Sequence, residues 1–172
     1  MDKIFVRIEG INGTISRDIG NEKWMQVSNV EFEVSREVEF KDVTERLLPD
    51  HSHPEISKIV ITKPLCPATP SIFASICLLK KRKFELEIVH NKGESHGETT
   101  LSKVLATGIM RYESEICFVN ASSISAGSGE HPTEHVVITV SSLKATYTPA
   151  NPAETPTGAS SFGYNFQMSK LI

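Results

Sequence analysis

Apolar residues recur at every second position over much of this chain. Ile4, Val6 and Ile8 alternate with Lys3, Phe5, Arg7 and Glu9, the two-residue period of a half-buried strand. Another β stretch begins at Trp24-Met25-Gln26-Val27. Val30, Phe32 and Val34 then alternate with Glu31, Glu33 and Ser35, and Val38 and Phe40 continue that pattern beyond a break at Ser35-Arg36. Ile56, Ile59 and Ile61 resume a strand. Phe84, Leu86 and Ile88 alternate with Glu85, Glu87 and Val89. Residues 116–124 read as β, and Val136, Ile138 and Val140 predict a strand running on to Tyr147. Phe162, Tyr164 and Phe166 alternate again near the end. The stretch 99–110, with Leu101, Val104, Leu105 and Ile109, fits either a helical or a strand period.

One segment has a helical period. Ile72, Phe73, Ile76 and Leu79 recur at helical spacing up to about Lys80. Thr69 is expected to cap the free N–H groups, and Pro70 sits where its missing donor costs nothing. This short helix is expected to pack one apolar face on a sheet. Gly10-Ile11-Asn12-Gly13 and Asn91-Lys92-Gly93 predict turns, because Gly and Asn tolerate positive φ. The segment 41–54 mixes charges with Pro49, Asp50, His51 and His53 and has no lasting period. It reads as a long loop with one short helical turn at 44–48, and long loops in compact domains are usually functional or disordered. Residues 149–161, rich in Pro, Thr, Ala, Gly and Ser, read as a loop or extended tail before the final aromatic segment. Together the elements predict one domain over 1–172, mainly β. It is a closed or nearly closed barrel, or a two-sheet β fold, with one flanking α-helix.

Composition narrows the functional classes. The chain has 172 residues and a formal net charge of −3, and Lys80-Lys81-Arg82-Lys83 is its one dense basic run. That run reads as a solvated turn entering a strand, so a nucleic-acid platform is not expected. Cys66, Cys77 and Cys117 show no CxxC spacing, which favours reduced thiols over a disulfide scaffold. Cys77 and Cys117 lie between apolar neighbours and are expected to be buried as small hydrophobes. The opening MDKIFVRIEG lacks the apolar stretch of a signal peptide. No run approaches the ~20 apolar residues of a membrane helix.

The candidate chemistry is thin. His51 and His53 lie on one side of an extended chain, but no third ligand stands at a metal spacing. His131-Pro132-Thr133-Glu134-His135 resembles a His-Glu-x-x-His zinc motif only superficially, since its second residue is Pro132. Ser123, Ser125 and Ser128 lack a Gly-x-Ser-x-Gly elbow. Trp24 reads as a core or interface anchor. Neither a catalytic group, a metal nor a cofactor is expected.

Several segments, in order, resemble the haemolysin-coregulated protein (Hcp) family, the tube proteins of the type VI secretion system. They are Ile4-Phe5-Val6-Arg7-Ile8-Glu9-Gly10-Ile11-Asn12-Gly13, Trp24-Met25-Gln26-Val27 with Val30-Glu31-Phe32, and Ile59-Val60-Ile61-Thr62-Lys63. Ala68-Thr69-Pro70-Ser71-Ile72, then Pro132 to Ile138 with Tyr147, and Phe162-Gly163-Tyr164-Asn165 continue the likeness. The resemblance implies a β-barrel of two sheets with a flanking helix. It implies that six copies close into a ring, and that rings stack into a tube propelled with its spike into a neighbouring cell. Sheath, spike and baseplate proteins would be its partners, and small effectors its lumen cargo. Assembly would take place in the cytoplasm and export would need no cleaved leader. The 41–54 loop, with Lys41, Asp42, Glu45, Arg46, Leu47, Leu48, Asp50, His51 and His53, would reach the next ring. A secreted β-sandwich module binding a sugar or host surface is the rival reading, and a small hydrolase a third.

Overall fold

A computed structural model describes residues 3–16, 23–37, 53–91, 106–149 and 159–172. The period-2 segments are strands: β1 (Lys3–Ile8), β2 (Met25–Val27), β3 (Asn29–Glu31), β4 (Val34–Ser35), β5 (Glu55–Ile56) and β6 (Ile59–Pro64). After α1 (Thr69–Leu78) come β7 (Arg82–Asn91), β8 (Ala106–Ser125), β9 (Thr133–Val140), β10 (Ser142–Pro149), β11 (Ser160–Asn165) and β12 (Lys170–Leu171).

The pairings close a barrel. β1 pairs antiparallel with β2 and with β7, β7 with β8, β8 with β9, β9 with β6, and β6 with β3. β2 and β3 are successive pieces of one chain, joined at Ser28, whose amide donates to the Thr62 carbonyl at 2.8 Å. That junction completes the circuit, so those barrel strands leave each other few edges to protect. β8 is shared. Its first half pairs with β7 on one side and β10 on the other, and its second half pairs with β9. β10, β11 and β12 extend the sheet beyond the barrel as a wing. β4 and β5 form a separate two-stranded ribbon.

Alternation selects what fills the barrel. Val6 and Ile8, Met25 and Val27, Ile59 and Ile61, Phe84 and Leu86, and Val136 and Ile138 are buried in one cluster with Ile72 of the helix. Each such side chain contributes roughly 1.5–3 kcal/mol on full burial. Phe32 meets Tyr112 edge-on with ring centroids 5.1 Å apart, near where the ribbon leaves the barrel. The early turn behaves as its glycines predict. Gly10 has φ +70°, and a Cβ on Gly13 would meet the Trp24 carbonyl. Trp24 is fully buried, with the Arg7 guanidinium 5.0 Å from its ring centroid.

Some expectations need correction. The strand predicted to run from Val136 to Tyr147 breaks at Ser141. There the chain turns from barrel to wing, its amide donating to Ile116 O and its carbonyl accepting from Phe166 N. Thr69 does not cap the helix: Ala68 precedes it with no side-chain cap. The Thr69 hydroxyl donates instead to Glu134 Oε2 at 2.7 Å, since a buried carboxylate attracts it more strongly than a solvated amide. Helix α1 ends at Leu78. Its Ile72 is buried, but Phe73 and Leu79 of the expected core face are 67% and 66% exposed. Cys117 is buried as expected, and burial pushes its thiol up to about 12; Cys77 is exposed.

A buried ion pair and its hydrogen bonds join four elements. Lys63 of β6 and Glu134 of β9 are register partners, and Lys63 Nζ lies 2.5 Å from Glu134 Oε2 with both side chains almost wholly buried. Lys63 Nζ also donates to Thr69 Oγ1 at 3.2 Å and to Pro64 O at 3.3 Å. Ser122 Oγ of β8 donates to Glu134 Oε1 at 2.6 Å. Burial works to raise the Glu134 pKa, but the hydrogen bonds from Lys63, Ser122 and Thr69 overcome it and hold the carboxyl below its ordinary value. A depressed carboxylate contributes stability above its unfolded pKa of about 4.3, which is lost as pH falls through the folded value. Lys63→Met leaves Glu134 charged and unpaired, with an expected loss of about 3–5 kcal/mol. Urea unfolding at neutral pH measures that loss, and titration below pH ~4 should narrow the gap between wild type and variant.

Candidate assembly surfaces

Four surfaces stand out from the barrel. The first is the root of the long loop. β4 and β5 pair Val34 with Ile56 and Ser35 with Glu55. Ser57 Oγ accepts from Glu33 N at 2.8 Å, and Ser57 N donates to Glu33 O at 2.8 Å. These bonds make the chain depart and return at one place. Val34 is exposed although apolar, and Glu31, Glu33, Glu37 and Glu55 are exposed around it. Of the loop residues predicted as a site, His53 lies at this root and is exposed. Lys41, Asp42, Glu45, Arg46, Leu47, Leu48, Asp50 and His51 lie outside the described residues.

The second surface is the outer face of β1, β7 and β8, crossed by ion pairs. Arg7 Nη2 donates to both Glu85 oxygens at 2.6 Å. Arg111 pairs with Glu87, and Lys83 with Glu115 at 2.8 Å. Arg7, Glu9, Lys83 and Glu85 line a shallow cleft of about 260 Å³. Cations and carboxylates alternate here, so the face carries charge without a strong net sign.

The outer face of β3, β6, β9 and the second half of β8 is different. Asn29, Thr62, His135 and Ser123 stand in one row across it. Glu31, Val60, Val137 and Ala121 stand in the next. Its side chains are mostly small, and Glu31 is the one charge in these two rows. His135 Nδ1 is 3.0 Å from Thr62 Oγ1, so this histidine is a sheet residue and not half of a zinc motif. Among the described residues no three His, Cys, Asp or Glu side chains are grouped to hold a metal.

The fourth surface is the helix end and the turn behind it. Phe73, Leu78 and Leu79 are exposed, followed by exposed Lys80 and Lys81. Leu79 has φ 45° and ψ 54°, a left-handed conformation usually filled by glycine after a helix. The amides of Leu79 and Lys80 reach back to Ile76 O and Ser75 O at 3.4 Å. Arg82 fastens the turn from below, donating to Ser75 Oγ at 2.7 Å and to the Glu9 carbonyl. Read by period alone, Leu79 is a core residue; the basic run right after it is the one signal that it is not. The wing has its own exposed apolar residues, Tyr147, Phe162, Met168, Leu171 and Ile172.

The family described as "Type VI secretion system effector, Hcp" matches residues 5–147. Among solved structures, one described as a type six secretion system protein superposes with a TM-score of 0.75 at 16% identity, covering 100% of both chains. Hcp1 from Salmonella typhimurium gives 0.69 at 18% identity over 99% of each chain. A type VI secretion system effector from Yersinia pestis gives 0.61 at 15% identity, covering 94% of this chain and 98% of its own. No curated protein matches the sequence. No helix among the described residues is long and apolar enough to cross a membrane.

The left-handed Leu79 is a source of strain of about 1–2 kcal/mol. Leu79→Gly should therefore raise the free energy of unfolding by about 0.5–1 kcal/mol after the added freedom of the unfolded chain is counted. Leu79→Ala keeps the strain and should show no such gain. Urea midpoints of the two variants against wild type decide it.

Proposed function

Since the chain belongs to the Hcp family of the type VI secretion system, we propose that it is a structural subunit of the system's inner tube and not an enzyme. Six copies close into a ring, and rings stack into a hollow tube that is propelled into target cells. The family match over 5–147 is the observation that carries this reading. The protein assembles in the cytoplasm within the sheath, meets spike and baseplate proteins, and leaves with the tube.

The physical features agree with such a role. A ring needs two different surfaces on each subunit, brought together by a rotation that closes. The helix side and the wing each expose apolar residues on separate elements. A wall along which cargo slides needs small side chains and little net charge. The face holding Thr62, His135, Ser123, Val60, Val137 and Ala121 fits that description best, so it is assigned to the lumen, where small effectors ride. The ribbon of β4 and β5 gathers both ends of the 41–54 loop at one root, as a projection towards the next ring requires. A monomeric recognition module would need a concave aromatic patch, whereas the exposed aromatics Phe73, Tyr147 and Phe162 are divided between the helix and the wing.

Light scattering on purified protein should give a mass near six subunits; a monomer at every concentration would reject the tube. Deleting residues 45–53 should leave that mass intact while shortening stacks seen by electron microscopy at high concentration. Tubes of unchanged length would remove the loop from the stacking contact.

A further inference from the structure

The tube reading leaves open what receives the loop root in the next ring. The basic run was expected to be a solvated turn, and the structure makes it more specific. Arg82 is spent inside the fold on Ser75 and the Glu9 carbonyl, and Lys83 pairs with Glu115. Lys80 and Lys81 are left at the surface behind two exposed leucines, and the chain holds Leu79 in a left-handed conformation there. Strain retained at an exposed bulky side chain is a mark of function more than of folding.

The loop root has the opposite character. Residues 29–37 and 53–58 carry Glu31, Glu33, Glu37 and Glu55 against Arg36 and Lys58, four carboxylates to two cations. The turn at 80–83, with Glu9 and Glu115 against it, carries four cations to two carboxylates. Each patch also exposes aliphatic surface, Val34 at the root and Leu78 with Leu79 at the turn. The two are therefore opposite in sign, equal in balance and alike in having an apolar centre, and they lie on different elements of the same chain.

We propose that the acidic root of the long loop in one copy docks on the leucine-lysine turn (Leu78 to Lys81) of a second copy in the adjacent ring. This rests on the tube reading. The contact is heterologous, one patch against a different one, and so propagates along an axis instead of stopping at a pair. A single exposed ion pair is weak, but a ring presents every contact six times, and repetition multiplies the effect.

The test uses two charge variants of the full chain. Lys80→Glu with Lys81→Glu makes both patches acidic, and Glu33→Lys with Glu55→Lys makes both basic. Each variant alone should keep the ring mass by light scattering but form stacks about tenfold shorter at low salt. An equimolar mixture should recover long stacks, because the root of each variant then meets the oppositely charged turn of the other. Wild-type stacks should shorten as ionic strength rises past ~0.1 M. Either variant stacking as well as wild type, or a mixture no longer than its components, overturns the contact while leaving the tube intact. Wild-type protein that forms no ring overturns the tube reading and this contact with it.

Discussion

Lys63 and Glu134 face each other across two neighbouring strands, in a place where water does not reach. Two opposite charges removed from water tolerate one arrangement only, since either charge alone would be costly. A one-residue slip of β6 against β9 would turn Lys63 to the outside, leave Glu134 buried without its cation and bring Val60 and Thr62 inward. The pair thus determines the register of the four-stranded wall. Through Thr69 and Ser122 it also fixes where the helix begins and how β8 lies over it. The small-residue face assigned to the lumen, the ribbon beyond β3 and the strained turn beyond the helix all take their positions from that centre.

How much of this could be read from the chain depended on what alternation can and cannot encode. Strands with one buried face announced themselves: β1, β6, β7 and β9 hold the apolar phase predicted for them. The buried pair was legible too, though by a signal left unread. Lys63 lies in phase with Ile59 and Ile61, and Glu134 in phase with Val136 and Ile138, so each polar residue occupies a core-facing position. The helix misled because its apolar residues spread over more than one side while Ser75 sits on the buried one. Period picks out Ile72, Phe73, Ile76 and Leu79 equally, whereas only the first is fully buried. The break at Ser141 has no local mark, because it is imposed by the partner strand at Ile116 and by Phe166.

Structures at 15–18% identity share this architecture. So low an identity means that few side chains are held in common, while the backbone course is shared. A core accepts many apolar combinations when volume and pattern are kept. The loop residues 41–52 follow a different logic. They carry no hydrophobic period, so a sequence reading can locate such a segment without assigning its contacts.

β8 gives the molecule a mechanical property. This strand of 20 residues has a contour of roughly 66 Å at the usual rise, and it runs unbroken from the wing into the barrel. A push on the wing therefore travels into the barrel along covalent bonds, with flanking hydrogen-bond ladders loaded sideways over their whole length. Sheets joined only by a flexible hinge would buckle at the joint. A brick reinforced by one continuous rod keeps its shape under sudden acceleration.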